Sequence, residues 1–439
     1  MADSRIPASV DQFRAALRAR DVERVGALLA SDPEVRAAVN APIGPFGGRP
    51  LGMVRDNLPL VDLLLSYGAD LNLKSDWGPG GFGLLEFDCS PEQAAPLIAR
   101  GAVVDIFAAA NLSMLDRVRA LVNADASLVH ARGGDGRTAL HCARTTPIAE
   151  FLLERDAGID ARCVDHQSTA AQYLVREAPE VTRLLVQRGA WFDIFIAVGL
   201  GDGALIERCL REDAGALDHR TGHGLYRTVD VGNRPPTPDE IGAHRGDIYR
   251  WVFDHNVTAL DVAYRLGDRH IIDTLTRHAT PRQLLLAACW RPDREAARAI
   301  VASNPGVVST LTPEQHTLIA DAAHADNAAA VALMLDLGFD PLARGVDQWE
   351  PVRWAAFHGN VPMLQRLLAH NPPIGVPDPT YGGTPIGQCL YGSRHGWNCR
   401  KGDFATAVRL LLDAGERPDR SWYPTGRADV DAVLHSYFS

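Results

Sequence analysis

Leu184-Leu185-Val186-Gln187-Arg188-Gly189-Ala190 ends a leucine-rich amphipathic segment on a residue that tolerates positive φ. The same arrangement recurs at Leu63-Leu64-Leu65-Ser66-Tyr67-Gly68-Ala69-Asp70 and at Met334-Leu335-Asp336-Leu337-Gly338-Phe339-Asp340. A helix halted by a left-handed residue accounts for each stop. The stops come in pairs: Gly68 and Gly101, Asp156 and Gly189, and Gly338 and Asn371 each lie 33 residues apart. A fixed period of that length marks small helical units stacked on one another, each burying its apolar face against the next.

The opening half of the period is sharpest at Gly136-Arg137-Thr138-Ala139-Leu140-His141-Cys142-Ala143, which fits G-x-T-P-L-H-x-A with alanine in place of proline. Weaker openings stand at Asn256-Val257-Thr258-Ala259-Leu260, at Glu350-Pro351-Val352-Arg353-Trp354 and at Gly383-Thr384-Pro385-Ile386. Motif and period together resemble the ankyrin-repeat family. The resemblance extends over about nine-tenths of the chain as about twelve degenerate helix-pair units. It implies an all-α fold, an ankyrin-repeat solenoid forming one elongated curved domain. It also implies a concave surface that binds a protein or peptide partner, and for His141 a role in stabilising the turn.

Composition narrows the function classes. The chain has 439 residues, with 54 acidic against 44 basic side chains and a formal charge of −10, and no cationic stripe is visible. A nucleic-acid partner is therefore not expected, since phosphate backbones need concentrated positive charge. Lysine occurs only at Lys74 and Lys401, and the bias to arginine, alanine, glycine and proline fits a GC-rich bacterial genome. Seven scattered cysteines read as reduced core residues. Neither a signal peptide within Met1 to Arg20 nor an apolar run of about 18 residues is present, so a cytoplasmic protein without a membrane partner is expected.

Several helix starts are legible without the repeat. The segments opening at Ser90, Thr237, Thr280 and Thr312 each pair a hydroxyl with a following proline and a Gln or Glu three residues on. That is the capping-box pattern with proline in the first turn. A longer similarity, Gly101 to Ala109 against Gly189 to Ala197, points to duplication of a multi-repeat block. The period breaks twice. This divides the chain into a repeat block over 1–218, an irregular insertion over 219–254, and a second block over 255–439 with a short insertion at 391–402.

The insertions gather the titratable and aromatic residues that a regular repeat lacks. In the longer one, His223 and His244 are acid/base candidates with Asp239, Glu240 and Asp247. Arg227 and Arg250 are anchors for a small anionic ligand, and Tyr249 and Trp251 are contact candidates. In the shorter one, His395 is a further acid/base candidate, and Arg394 and Trp397 are ligand candidates. Trp349, Arg353 and Trp354 lie near a finger and on the first helix of a unit, where they are expected to face the groove.

Metal and cofactor signatures do not emerge. His219 and His223 have helical spacing, but Gly222 and Gly224 argue against a helix there, and Cys389, His395 and Cys399 fit core and loop placement. No Walker, H-E-x-x-H or G-x-S-x-G pattern occurs. Two functional readings follow. The first is a protein-interaction scaffold. The alternative is a small-molecule hydrolase, lyase or isomerase whose His/carboxylate site is built from both insertions.

Overall fold

In the computed structural model, which describes residues 7–78, 80–86 and 89–439, the architecture is helical throughout. Among the described residues the only β pairing is an isolated bridge between Arg162 and Thr169. No helix among them is long and apolar enough to cross a membrane. The seven cysteines are unbridged. The chain divides into two compact units, the first ending at Ile271 and the second beginning at Ile272. The division falls inside the helix Arg269–His278.

The local signals act as expected. The helix stops at Gly68, Gly101, Asp156, Gly189, Gly338 and Asn371 all have positive φ, from 50° to 103°. Ser90, Thr237, Thr280 and Thr312 each form a capping box with the Gln or Glu three residues on. Each thereby satisfies two backbone N–H groups that the first turn leaves without partners.

In the first unit, helix pairs follow in order: Ala8–Ala19 with Val22–Ser31, Pro50–Val54 with Leu58–Ser66, and Ile106–Asn111 with Leu115–Ala124. Ala170–Leu174 with Pro179–Gln187 and Ile194–Gly199 with Gly203–Glu212 continue the series. Two units are incomplete. Between Ser66 and Pro91 the described chain runs as turns, with no first helix. At Ala139–Cys142 the first helix shrinks to one 3-10 turn, because Thr146-Pro147 already opens the next helix.

Residues 219–254 do not separate the helices on either side of them. Ile194–Gly199 packs directly on Ala259–Leu266, so residues 219–254 leave and return at one junction. Thr221 closes that junction: its N–H donates to the Val257 carbonyl, its carbonyl accepts from Asn256, and its hydroxyl donates to the Asp254 carbonyl at 2.6 Å. The excursion is folded, with short helices at Pro238–Ile241 and Tyr249–Val252. Tyr226 packs edge-on and Tyr249 tilted against Phe195, at centroid distances of 4.9 and 5.1 Å, and both are buried.

In the second unit the pairs are Pro281–Trp290 with Arg294–Ser303, Leu318–His324 with Ala328–Leu337, and Pro351–His358 with Val361–Leu368. Pro385–His395 with Phe404–Asp413 follows, and Ala428–Phe438 covers the end. The stretch 391–395, expected to be irregular, is the last turn of Pro385–His395. Gly392 permits it: a Cβ there would stand 2.0 Å from the Phe357 carbonyl, so only glycine lets the two helices approach this closely.

Candidate functional site

The incomplete helices of the first unit leave a groove of about 1100 Å³. One wall is formed by residues from 45–55, 71–77 and 82–86, the other by Thr228, Asp247, Ile248, Arg250, Trp251 and Val252, and Asp135, Arg137, Asp165 and His166 lie between them. Phe46, 60% exposed, packs edge-on against Trp77 at 4.9 Å on the first wall. Trp251, 71% exposed, stands on the other, 6.4 Å from the His166 ring.

The insertion reaches this groove because it is pinned to the finger 166–168. The Gln167 side chain donates to the Val229 carbonyl at 2.6 Å and accepts from the Val229 N–H at 2.8 Å. Gln172 donates to the Arg245 carbonyl, and the Asp247 N–H donates to the His166 carbonyl at 3.0 Å. Gly246, with φ of 77°, makes the approach possible. A Cβ there would lie 2.3 to 2.6 Å from Ser168 Oγ and the carbonyls of Gln167 and His166.

That docking brings Asp247 onto His166, with Oδ1 2.9 Å from Nδ1. On the far side of the ring, Nε2 lies 3.4 Å from Asp165 Oδ2. Burial pushes the imidazole pKa down, but the hydrogen bond to Asp247 and the charges of Asp247, Asp165 and Asp135 outweigh it and hold the pKa above the ordinary value. Burial likewise raises Asp165, with His166 opposing and the neighbouring carboxylates adding to the rise. Asp135 completes the cluster, its Oδ1 accepting from Trp77 Nε1 at 3.0 Å.

Among the residues singled out from sequence, Asp247, Arg250 and Trp251 meet at this groove, with Arg250 Nη1 3.4 Å from Asp247 Oδ2. The others lie elsewhere. His223 packs its ring on His255 at 4.9 Å, and burial with Arg220 and Arg250 pushes its pKa down to about 4. His244 is half-buried, and Arg227 and Asp239 are exposed. Glu240 does not line the groove. It caps Thr237 and pairs with Arg234, which lowers its pKa to about 2. Tyr249 is no surface contact but a core pin, fully buried and donating to Asp193 Oδ1 at 2.9 Å.

In the second unit the expectation of groove-facing side chains needs correction. Arg353 is 1% exposed, and its guanidinium is consumed by Glu350 Oε2 at 2.5 Å and the carbonyls of Gly383 and Val376. With the Gln388 side chain as a fourth acceptor, the guanidinium is enclosed in the core and faces no groove. Trp349 and Trp354 are also buried and pack together at 4.4 Å. Trp397, by contrast, is 65% exposed and lies nearly parallel to Trp354 at 6.2 Å. His395 is exposed and stacks on Tyr391, and Arg394 beside it is exposed as well.

Sequence reasoning missed Asp135, Asp165, His166 and Trp77. A signal for two of them existed. Asp135 and Asp165 are 30 residues apart, at the tips of successive fingers. The ankyrin-repeat family matches residues 135–164, the repeat that begins at the first of these aspartates and stops just short of the second. No curated protein matches the chain.

Proposed function

We propose that the chain is a protein-interaction module, an ankyrin-type solenoid whose first unit binds a peptide segment of a partner along its concave groove in the cytoplasm. The observation that carries this reading is a groove of about 1100 Å³ beside a recognisable ankyrin repeat, with an exposed aromatic on each wall. Phe46 and Trp251 lose little conformational freedom on binding, because Phe46 rests on Trp77 and Trp251 belongs to a helix anchored by the buried Tyr249. Such anchored, solvent-facing rings are what interface hot spots require. Peptides selected from a random library on the full chain test it. Trp251→Ala and Phe46→Ala are expected to weaken the selected peptides by about 30-fold each, the loss of about 2 kcal/mol typical of a hot spot. Unchanged affinity in both variants refutes the reading.

A small-molecule enzyme is the second reading, supported by the 2.9 Å contact between His166 and Asp247 in the groove. A carboxylate on Nδ1 orients an imidazole for proton transfer at Nε2. Turnover of a hydrolysable or isomerisable substrate that vanishes in His166→Asn, with peptide binding intact, would favour it over the scaffold.

A further inference from the structure

Asp135, Asp165 and His166 each offer one ligand atom to a common point, all within 4.8 Å of one another. The backbone fixes this convergence. Asp135 sits at φ 59° on its finger tip, and its carbonyl accepts the N–H groups of both Val164 and Asp165, at 2.9 and 3.1 Å. The two fingers are thereby locked tip to tip.

The convergence places a carboxylate on either side of one imidazole. Asp247 faces His166 Nδ1 and Asp165 Oδ2 faces Nε2 at 3.4 Å, so an imidazolium donates to both carboxylates, and a metal ion that takes the Nε2 position must displace that proton. Asp135 is 7% exposed, and no hydrogen bond from the described residues reaches its Oδ2. Of the nearby guanidinium groups, Arg250 lies against Asp247, and Arg137 donates to the Gly134 carbonyl and packs on Phe82 and Tyr173 while its charge interacts with Asp135. With the Nε2 proton displaced, the three ligand atoms turn acceptors toward one another inside a groove rich in negative charge.

We propose that Asp135, Asp165 and His166 form a binding site for a divalent transition-metal ion, with Asp247 orienting His166 from behind and one coordination position open to the groove. One edge of the cluster has the spacing such an ion needs. Two ligands each at about 2.0–2.1 Å from a tetrahedral ion are about 3.3 Å apart, and His166 Nε2 and Asp165 Oδ2 already stand 3.4 Å apart. One imidazole with two carboxylates suits Zn²⁺, Co²⁺ or Mn²⁺ better than Mg²⁺ or Ca²⁺, which prefer all-oxygen shells. A carboxylate behind the ligating histidine is the usual outer support of such sites. The site does not depend on peptide binding, since all four side chains are held by the fold itself.

The test is titration of the full chain, stripped with a chelator, using Co²⁺ followed by its visible absorption and Zn²⁺ in competition with a chromophoric chelator. One equivalent is expected to bind. Asp135→Asn and His166→Gln should each weaken it by at least about 100-fold, and Asp247→Asn by about 10- to 100-fold. Circular dichroism checks that the variants fold, and Asp165→Asn, at a more open position, substitutes if Asp135→Asn does not. Binding of less than one equivalent at about 100 μM ion overturns the assignment, as does binding that the folded ligand variants leave unchanged; the latter would place the ion on other histidines or cysteines.

Discussion

His141 lends itself to a quantitative test of how the repeat is held together. Its Nδ1 faces the Thr138 N–H at 3.2 Å and hydroxyl at 2.9 Å, and Nε2 faces the Ser168 carbonyl at 3.1 Å. Because a backbone N–H can only donate, Nδ1 must accept, so the ring is neutral with its proton on Nε2. Burial is the largest cause pushing its pKa down to about 3 from 6.5. Arg137 and Arg132 add to this, and the hydrogen bond to Ser168 opposes it. With the folded pKa below the unfolded one, the unfolded chain takes up the proton first. Stability is therefore complete above about pH 6.5 and is lost as the pH falls toward 3. At pH 4 the loss amounts to about 2.5 pK units, or about 3 kcal/mol at about 1.36 kcal/mol per unit. His141→Gln removes the titration. It should destabilise by about 1–3 kcal/mol at pH 7.5 through weakened hydrogen bonds, and the gap should close or invert by pH 4. Urea unfolding of both proteins at several pH values measures the gap. A gap constant from pH 7.5 to 4, or an NMR titration of the His141 ring centred near 6.5, refutes the reasoning.

Gly136 and Gly68 separate backbone strain from steric conflict. A Cβ at Gly136 (φ 65°) meets Val164 Cγ2 at 2.2 Å, whereas one at Gly68 (φ 84°) meets nothing within 4 Å. Gly136→Ala should cost about 2–4 kcal/mol and Gly68→Ala about 1 kcal/mol in thermal or urea unfolding; equal costs would show that the tip can shift. Arg353→Met leaves Glu350 buried with only Arg344 beside it, so a loss of about 3–5 kcal/mol is expected in the transition of the second unit. Asn398→Ala removes the bonds to Asp326 at 2.7 Å and to His358 at 3.2 Å that seat the turn after Gly396. Faster protease cleavage at Arg400 or Lys401 should follow, with little change in global stability.

What could be read from sequence is what short-range chemistry specifies. The left-handed stops and the Ser/Thr-Pro capping boxes need only neighbours within about five residues, and they stand where the pattern placed them. The breaks in period at 219–254 and 391–402 were visible, but how those stretches fold was not. Asp247 was recognised as a candidate, yet its histidine is 81 positions away, and nothing local encodes their meeting. It follows from Gln167 and Gly246, two residues whose role exists only once the excursion has folded back. Arg353 was misread for a related reason. A first-helix position predicts a groove, but acceptors at Val376 and Gly383 in the next finger enclose the side chain. The shortening at Ala139–Cys142 was readable from Pro147, had the motif's expected helix length been set against it.

The pair of hydrogen bonds between Gln167 and Val229 fastens the near side of the excursion, and Gly246 with Asp247 fastens the far side. The mostly exposed residues 230–236 between these rivets are therefore mechanically idle. A protease site or a small reporter domain spliced there would leave the groove's walls in place, giving a handle for labelling or immobilising the molecule while His166 keeps its neighbours.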